Sequence, residues 1–216
     1  MRGVFITVEG PDGAGKTTLI EGLMEKLQGN LRCPLVFSRE PGGEAIAEQI
    51  RSIILDTANT AMDKRAEALL YAASRRQHLV GKILPALEAG SFVLCDRFVD
   101  SSFAYQGYGR QIGGDEVLEL NQFATEGLQA DLTLYCDLPA EEGIRRINEY
   151  RSQENNRLDR ESMAFHHRVV EGYQELLRRY PDRIIAIDAQ KSPQEMLQQA
   201  LEALYQRYPT YFKSKD

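Results

Sequence analysis

The sequence predicts one α/β domain built on a mostly parallel sheet, and three observations carry that reading. Five short apolar runs rich in Val, Ile, Leu and Phe fall at 4–8, 35–38, 92–95, 132–136 and 183–187. They alternate poorly between apolar and polar residues, as strands covered on both faces do. Helical patterns separate them, and strands that alternate with helices favour a parallel sheet with helical crossovers.

The elements follow in order. After the first strand, Leu19, Ile20, Leu23, Met24 and Leu27 recur at helix spacing, and Ile46, Ile50, Ile53 and Ile54 do the same after the second. Residues 64–89 form a long helix-favouring stretch in which Pro85 is expected to kink or break the helix. Val117, Leu118, Asn121 and Phe123 give a less regular pattern, and further helices are expected at 140–150, 159–179 and 192–208. Residues 145–160 are polar and contain Ser152-Gln153-Glu154-Asn155-Asn156, which suits a surface loop or lid. The tail after Pro209 is expected to be loosely held.

Composition sets outer bounds. A chain of 216 residues with 43% hydrophobic and 27% charged residues has enough apolar surface for a packed core and is not a disordered chain. One domain, residues 1–216, accounts for the whole length. The net charge of −6 argues against a surface that grips nucleic acid or an anionic membrane. It leaves room for a small anionic substrate where basic residues are concentrated. No apolar run reaches 18 residues, so no membrane-spanning helix is expected. The N-terminal run is too short for an export leader and Glu9 interrupts it. Three cysteines without CxxC spacing suggest free thiols, with Cys95 and Cys136 buried, and a reducing cytoplasm.

The strongest local signal is Gly10-Pro11-Asp12-Gly13-Ala14-Gly15-Lys16-Thr17, which matches G-x4-G-K-[ST] and is followed by Thr18. An apolar strand precedes it and an amphipathic helix follows. Such a loop wraps its backbone N–H groups around phosphate oxygens, and glycine permits the close approach. Lys16 would reach the β- and γ-phosphates and the Thr17 hydroxyl would hold Mg²⁺. The helix that starts near Gly15 aims its positive end at the same phosphates. The motif by itself leaves ATPases, GTPases, small-molecule kinases and motors open. A GTPase would need an N-K-x-D segment, and the chain has none.

Three further segments fall at or just beyond strand ends, where open α/β sheets bind ligands. They are Arg39-Glu40-Pro41-Gly42-Gly43, Asp96-Arg97-Phe98-Val99-Asp100-Ser101-Ser102 and Tyr105-Gln106-Gly107-Tyr108-Gly109-Arg110. With the phosphate loop, these segments resemble the bacterial thymidylate kinases, in the right order and at the right separations from about Phe5 to Tyr205. The resemblance implies a P-loop NTPase three-layer fold with a five-stranded parallel sheet flanked by helices and a short lid. It also implies a homodimer that transfers the γ-phosphoryl of ATP to dTMP, giving dTDP, with Mg²⁺. Arg39 and Arg97 match the arginines that hold the dTMP phosphate, a role suited to paired guanidinium donors. The alternative for each is an ion pair with a neighbouring acid such as Glu40 or Asp96. Pro41 matches a position with a cis peptide bond.

On the helix bearing Glu67 to Arg75, Tyr71 and Arg75 lie four apart and share a face. By resemblance Tyr71, where the family usually has Phe, stacks on thymine and Arg75 bonds its carbonyl. The alternatives are core packing and a surface ion pair. Ser102 and Gln106 match the positions facing the thymine edge, and a side-chain amide offers both a donor and an acceptor to an imide. Tyr105 matches the tyrosine that crowds the sugar 2′ position, Asp12 an acid near the 3′-hydroxyl, and Arg51 an arginine beside the pocket. Phe98 departs from the more usual Tyr or His.

The acceptor is a phosphate monoester whose second pKa is about 6, so its oxygen is largely ionised at neutral pH and no general base is needed. His78, His166 and His167 are accordingly expected on helix surfaces. Catalysis must come from alignment and charge neutralisation, to which Lys16, Thr17 with Mg²⁺ and Arg97 contribute. Asp96, at a strand end, is placed to hold Mg²⁺ through water. The resembling family carries its extra cations either inside the phosphate loop or in the lid; here Pro11, Asp12, Gly13 and Ala14 include no basic residue, so the resemblance implies that the lid supplies them. Residues 145–160 hold five arginines against Glu149, Glu154 and Asp159. Of the five, Arg145, Arg157 and Arg160 are the candidates for phosphate contact. The competing functions are a kinase for another nucleoside monophosphate and a nucleotide-dependent binding module without transfer activity.

Overall fold

The computed structural model describes residues 2–150 and 161–213. Five strands, β1 (Val4–Glu9), β2 (Leu35–Arg39), β3 (Phe92–Asp96), β4 (Leu132–Asp137) and β5 (Ile184–Asp188), form one sheet in the order β2-β3-β1-β4-β5. Every pairing is parallel. The strand runs read from the sequence are therefore right in number and place. Each ends one residue later than expected, on Glu9, Arg39, Asp96, Asp137 or Asp188. Those polar residues lie at the carboxyl edge of the sheet, where apolarity no longer marks a strand.

β1 is buried along its whole length because helices cover both faces. Val4, Ile6 and Val8 pack with Leu19, Leu23 and Leu27 of α1 (Lys16–Leu27) and with Ala200 and Leu204 of α9 (Pro193–Arg207). Phe5 turns to the other face and joins Leu79, Ile83 and Leu87. A third apolar group, with Phe103, Tyr135, Phe165 and Tyr173, joins β4 to α8 (Met163–Arg179).

The remaining helices are α2 (Ala45–Leu55), α3 (Lys64–His78), α4 (Leu84–Glu88), α5 (Val99–Ser102), α6 (Gly114–Thr125) and α7 (Ala140–Tyr150). Side chains cap several of them: Glu44 accepts from Ile46 and Ala47 at the start of α2, and Asp63 from Arg65 and Ala66 at α3. Ser192 and Glu195 form a reciprocal capping box at α9.

Four expectations need correction. Pro85 does not break its helix: a π-helical turn, Leu79–Ile83, widens the backbone before it, and the Leu84 N–H bonds back to Leu79 O. The proline then sits in the first turn of α4, where a missing N–H matters least. The tail is held as far as described, because Phe212 is buried and its carbonyl accepts from Arg32 Nε at 2.7 Å. The helix expected at 159–179 starts at Met163, capped by Ser162. His78 and His166 are buried, not on the surface; His78 sits between Ser38 and Glu40, where polar partners accept an imidazole inside the core. His167 is half-exposed beside Glu141, as expected.

Cys33, Cys95 and Cys136 are free thiols, the last two buried as expected. Among the described residues no helix is long and apolar enough to cross a membrane.

Candidate active site

A cavity of about 670 Å³ opens at the carboxyl edge of the sheet. Parallel register brings its anchors together, since Val8 of β1 and Arg39 of β2 both pair with Asp96 of β3. Beyond the strand ends, Arg97 N–H bonds to Val8 O and Glu40 N–H to Asp96 O.

The phosphate loop forms one wall from Asp12 onward. Gly10, Gly13 and Gly15 all have positive φ, and a Cβ on Gly13 would lie 2.2 Å from the carbonyl oxygen of Gly143. Asp12, Gly13, Ala14, Gly15, Lys16, Thr17 and Thr18 line the cavity, whereas Gly10 and Pro11 do not. The last two instead offer their carbonyls to Lys16 Nζ, at 3.0 and 2.7 Å. Burial and the nearby Arg97 pull the Lys16 amine down to about 8. An arriving phosphate would replace those neutral acceptors with charged ones.

Arg97 stands between this wall and the opposite one. Its φ is 68°, which is uncommon for a residue with a Cβ and occurs where surrounding contacts fix the backbone. Its Nη1 donates to Gly10 O at 3.1 Å and its Nη2 to Asp12 Oδ1 at 2.6 Å. The Tyr105 ring lies under the guanidinium, and its hydroxyl donates to Asp12 Oδ2 at 2.7 Å. Burial opposes a charge on Asp12, but Arg97 and Lys16 hold its carboxyl below the ordinary range. The acid partner of Arg97 is thus Asp12, across the cavity, and not its neighbour Asp96. Behind it, the buried Glu9 accepts from Phe98 N–H, Ser101 and Tyr173. Burial and the Asp100 carboxylate raise its pKa to about 7.

The opposite wall is basic. Glu40–Pro41 is a cis peptide bond, as the resemblance implied, and the Pro41 carbonyl accepts from Arg39 at 3.1 Å and Arg51 at 2.7 Å. Arg39 pairs with Glu48 at 3.0 Å, not with Glu40. Burial and the adjacent Arg39 lower the pKa of Arg51, a strain that an anion would relieve. Tyr71 and Arg75 of α3 line the same cavity. Arg75 is 2% exposed, so it is no surface ion pair. Its Nε donates to Glu40 at 2.7 Å, and its Nη atoms to Ser102, Asn121 and the Phe98 carbonyl. Ser102, Tyr105 and Gln106 reach the cavity from α5 and the π-helical turns of Phe103–Gly109 that continue it. Wide turns of this kind recur at functional sites.

Asp96 Oδ1 is buried without a hydrogen-bond partner among the described residues. It faces the cavity that Thr17 also lines, and an unpaired carboxylate oxygen with a hydroxyl is a hard donor set that fits Mg²⁺.

Residues 145–150 belong to α7, in keeping with the helix expected at 140–150, and residues 151–160 lie outside the described residues. Arg145 does not line the cavity; Glu142 and Glu149 hold it at 2.7 and 2.6 Å on the exposed side of α7. Arg146 lines it instead, with Ile147, and donates to Ala189 O at 3.0 Å. The signal was present, since Gly143, Arg146 and Ile147 share one helix face. Arg157 and Arg160 lie outside the described residues. Sequence reasoning also missed Lys191, just before α9, and Pro193 and Met196 in its first turns, which line the cavity.

A family model described as thymidylate kinase matches residues 8–200. The chain is 54% identical to the thymidylate kinase of Lactiplantibacillus plantarum over 215 residues, covering 100% of this chain and 97% of that protein. It is 53% identical to the thymidylate kinase of Enterococcus faecalis, covering 98% of this chain and all of that protein. It is also 53% identical to that of Halalkalibacterium halodurans, covering 95% and 98%.

Proposed function

The chain belongs to the thymidylate kinase family and phosphorylates dTMP to dTDP with ATP, and on that premise we propose how the cavity residues divide the work. Asp12 to Thr18 cradle the ATP phosphates, with Lys16 leaving the Gly10 and Pro11 carbonyls, which lie behind the cavity, for phosphate oxygens. Arg39, Arg51 and Arg97 take the dTMP phosphate, Tyr71 and Arg75 the base, Ser102 and Gln106 its edge, and Asp12 and Tyr105 the sugar.

The observation that carries this reading is Arg97. It bonds the phosphate loop through Gly10 and Asp12 on one side, and it rests on Tyr105 of the acceptor wall on the other. A guanidinium so placed holds donor and acceptor phosphates in register and screens the charge that builds between them. No side chain need remove a proton, because the attacking oxygen is already ionised. Glu9 is engaged with Phe98, Ser101 and Tyr173 and braces the Arg97 turn.

Thr17 and Asp96 would hold Mg²⁺, which supplies charge neutralisation on the ATP phosphates. Arg146 adds a cation from α7, and Arg157 and Arg160 are assigned the same role because the phosphate loop has no basic residue besides Lys16. Exposed Ile46, Ile53, Leu69 and Phe123 on the adjoining α2, α3 and α6 support a homodimer. Three free thiols favour a reducing cytoplasm.

The test is coupled ADP release with each nucleoside monophosphate, for the natural chain and for Arg97→Lys and Asp96→Asn. Arg97→Lys should lower kcat with dTMP by about 100-fold, because an ammonium lacks the planar fork. Asp96→Asn should raise the Mg²⁺ concentration for half-maximal rate. An Arg97→Lys enzyme with unchanged kcat would remove the assignment.

A further inference from the structure

Gln106 is 1% exposed and borders the cavity, and its amide Nε2 donates to Glu67 Oε1 at 3.0 Å. Glu67, in the first turn of α3, is also 1% exposed and does not border the cavity. The Arg110 guanidinium holds it: Nε lies 3.1 Å from Oε1 and Nη2 3.1 Å from Oε2. Arg110 in turn reaches Glu161 Oε1 at 2.6 Å and lies over the Phe165 ring.

This chain of contacts fixes a direction. A primary amide has two ends of nearly equal size, one a donor and one an acceptor, and nothing in its shape selects either. A carboxylate paired with a guanidinium only accepts. The end of Gln106 that faces Glu67 must therefore be the NH₂ group, which leaves the carbonyl oxygen for the cavity. Glu67 is the only side-chain partner of the Gln106 amide among the described residues.

We propose that Glu67 is a positioning residue that determines base specificity by locking Gln106 with its carbonyl oxygen toward the nucleobase. This rests on the reading that the base lies against Tyr71, Arg75 and Gln106. A locked acceptor beside the Arg75 donors matches a base that offers a ring N–H next to a carbonyl, the imide of thymine. It opposes cytosine, whose ring nitrogen carries a lone pair there and whose neighbouring group is an amine. A buried acceptor left facing a lone pair is what gives polar sites their selectivity.

The experiment is a double-mutant cycle with Glu67→Gln and Gln106→Ala, assayed with dTMP and dCMP. A glutamine at position 67 can present either end, so Gln106 is free to turn. Glu67→Gln should raise the dTMP KM about tenfold, the worth of one buried hydrogen bond, and shrink the preference for dTMP over dCMP by a similar factor. The kcat and the ATP KM should stay within about twofold, as for other lost ground-state contacts. In the Gln106→Ala background, Glu67→Gln should then change neither dTMP KM nor base preference. Equal effects in both backgrounds, or none in either, overturn the role of Glu67 while leaving the base placement intact. A Gln106→Ala enzyme with an unchanged dTMP KM overturns the base placement itself, and with it the inference. Should Glu67→Gln fail to fold, the natural enzyme decides. Its Gln106 side-chain amide protons should be protected from exchange before dTMP is added and remain so after. Protection that arises only on dTMP binding overturns the proposal.

Discussion

Gly13 and Gly143 meet back to back. A Cβ on Gly13 would lie 2.2 Å from the Gly143 carbonyl oxygen, and one on Gly143 would lie 2.4 Å from the Asp12 carbonyl oxygen. The tip of the phosphate loop is thus pressed on the first turns of α7, and Asp12, which holds Arg97, is fixed from behind. Glycine inside a helix is ordinarily a liability, and alanine there gains about 1 kcal/mol. Here Gly143→Ala should do the reverse. Thermal unfolding should begin at lower temperature, and the ATP KM should rise several-fold as the loop is displaced. A higher melting temperature with an unchanged ATP KM would show that the contact is unimportant.

Two adjacent arginines on α7 should behave differently. Both pair with Glu142, but Arg146 borders the cavity, whereas Arg145 also pairs with Glu149 on the exposed side of the helix. Arg146→Ala should lower kcat/KM for ATP by about tenfold, the effect of one lost charged contact. Arg145→Ala should leave it within about twofold, since exposed ion pairs contribute little. Parallel steady-state assays distinguish the two, and the opposite ranking would favour Arg145 as the phosphate contact.

Glu40 is held at once by Arg75, at 2.7 Å, and by His78, at 3.0 Å, all three buried. Removing one member of a buried charged set leaves the rest uncompensated, at about 3 kcal/mol. Glu40→Gln should therefore lower stability by that order in denaturant titration and raise the dTMP KM, because Arg75 loses its anchor. His78→Asn keeps a polar atom near the ring Nδ1 and should retain dTMP binding better than His78→Gln, which reaches only toward Ser38. Equal dTMP KM values for these two variants would count against a link from His78 through Glu40 to Arg75.

The raised pKa of Glu9 makes stability fall with rising pH. Its carboxyl titrates near 4.5 when exposed, and near 7 when folded because of burial and the Asp100 charge. Below 4.5 both states are protonated and this contribution to stability is fully present. Between 4.5 and 7 the unfolded chain ionises first, so the contribution is lost as pH rises through that window. Glu9→Gln lacks the titration. The melting temperature of the natural chain relative to this variant should decline from about pH 4.5 to about 7 and then level off. A difference constant across that range would mean that Glu9 does not titrate there.

Much of the cavity is legible in the sequence. The phosphate loop was legible because its chemistry needs glycine, lysine and threonine at fixed spacing in one short segment. Tyr71 with Arg75, and Ser102 with Gln106, were legible as pairs four apart on helical backbone. Arg146 and Arg145 were not separable by charge, because only the packing of α7 against the loop decides which one faces the cavity. His78 read as a surface residue because its partners, Ser38 and Glu40, are some forty positions distant.

The sequence by itself determined the alternation of strands and helices, the phosphate loop and the cluster of five arginines at 145–160 in a chain of net charge −6. These are short-range properties, set by hydropathy period, backbone permissiveness and local charge. The tertiary structure decided which charges meet. Asp12 faces Arg97, Glu48 faces Arg39, and Glu67 fixes the direction of Gln106. Such pairings depend on strand order and parallel register, which bring loops remote in sequence to one edge of the sheet. The low dielectric of the buried site then makes each one count.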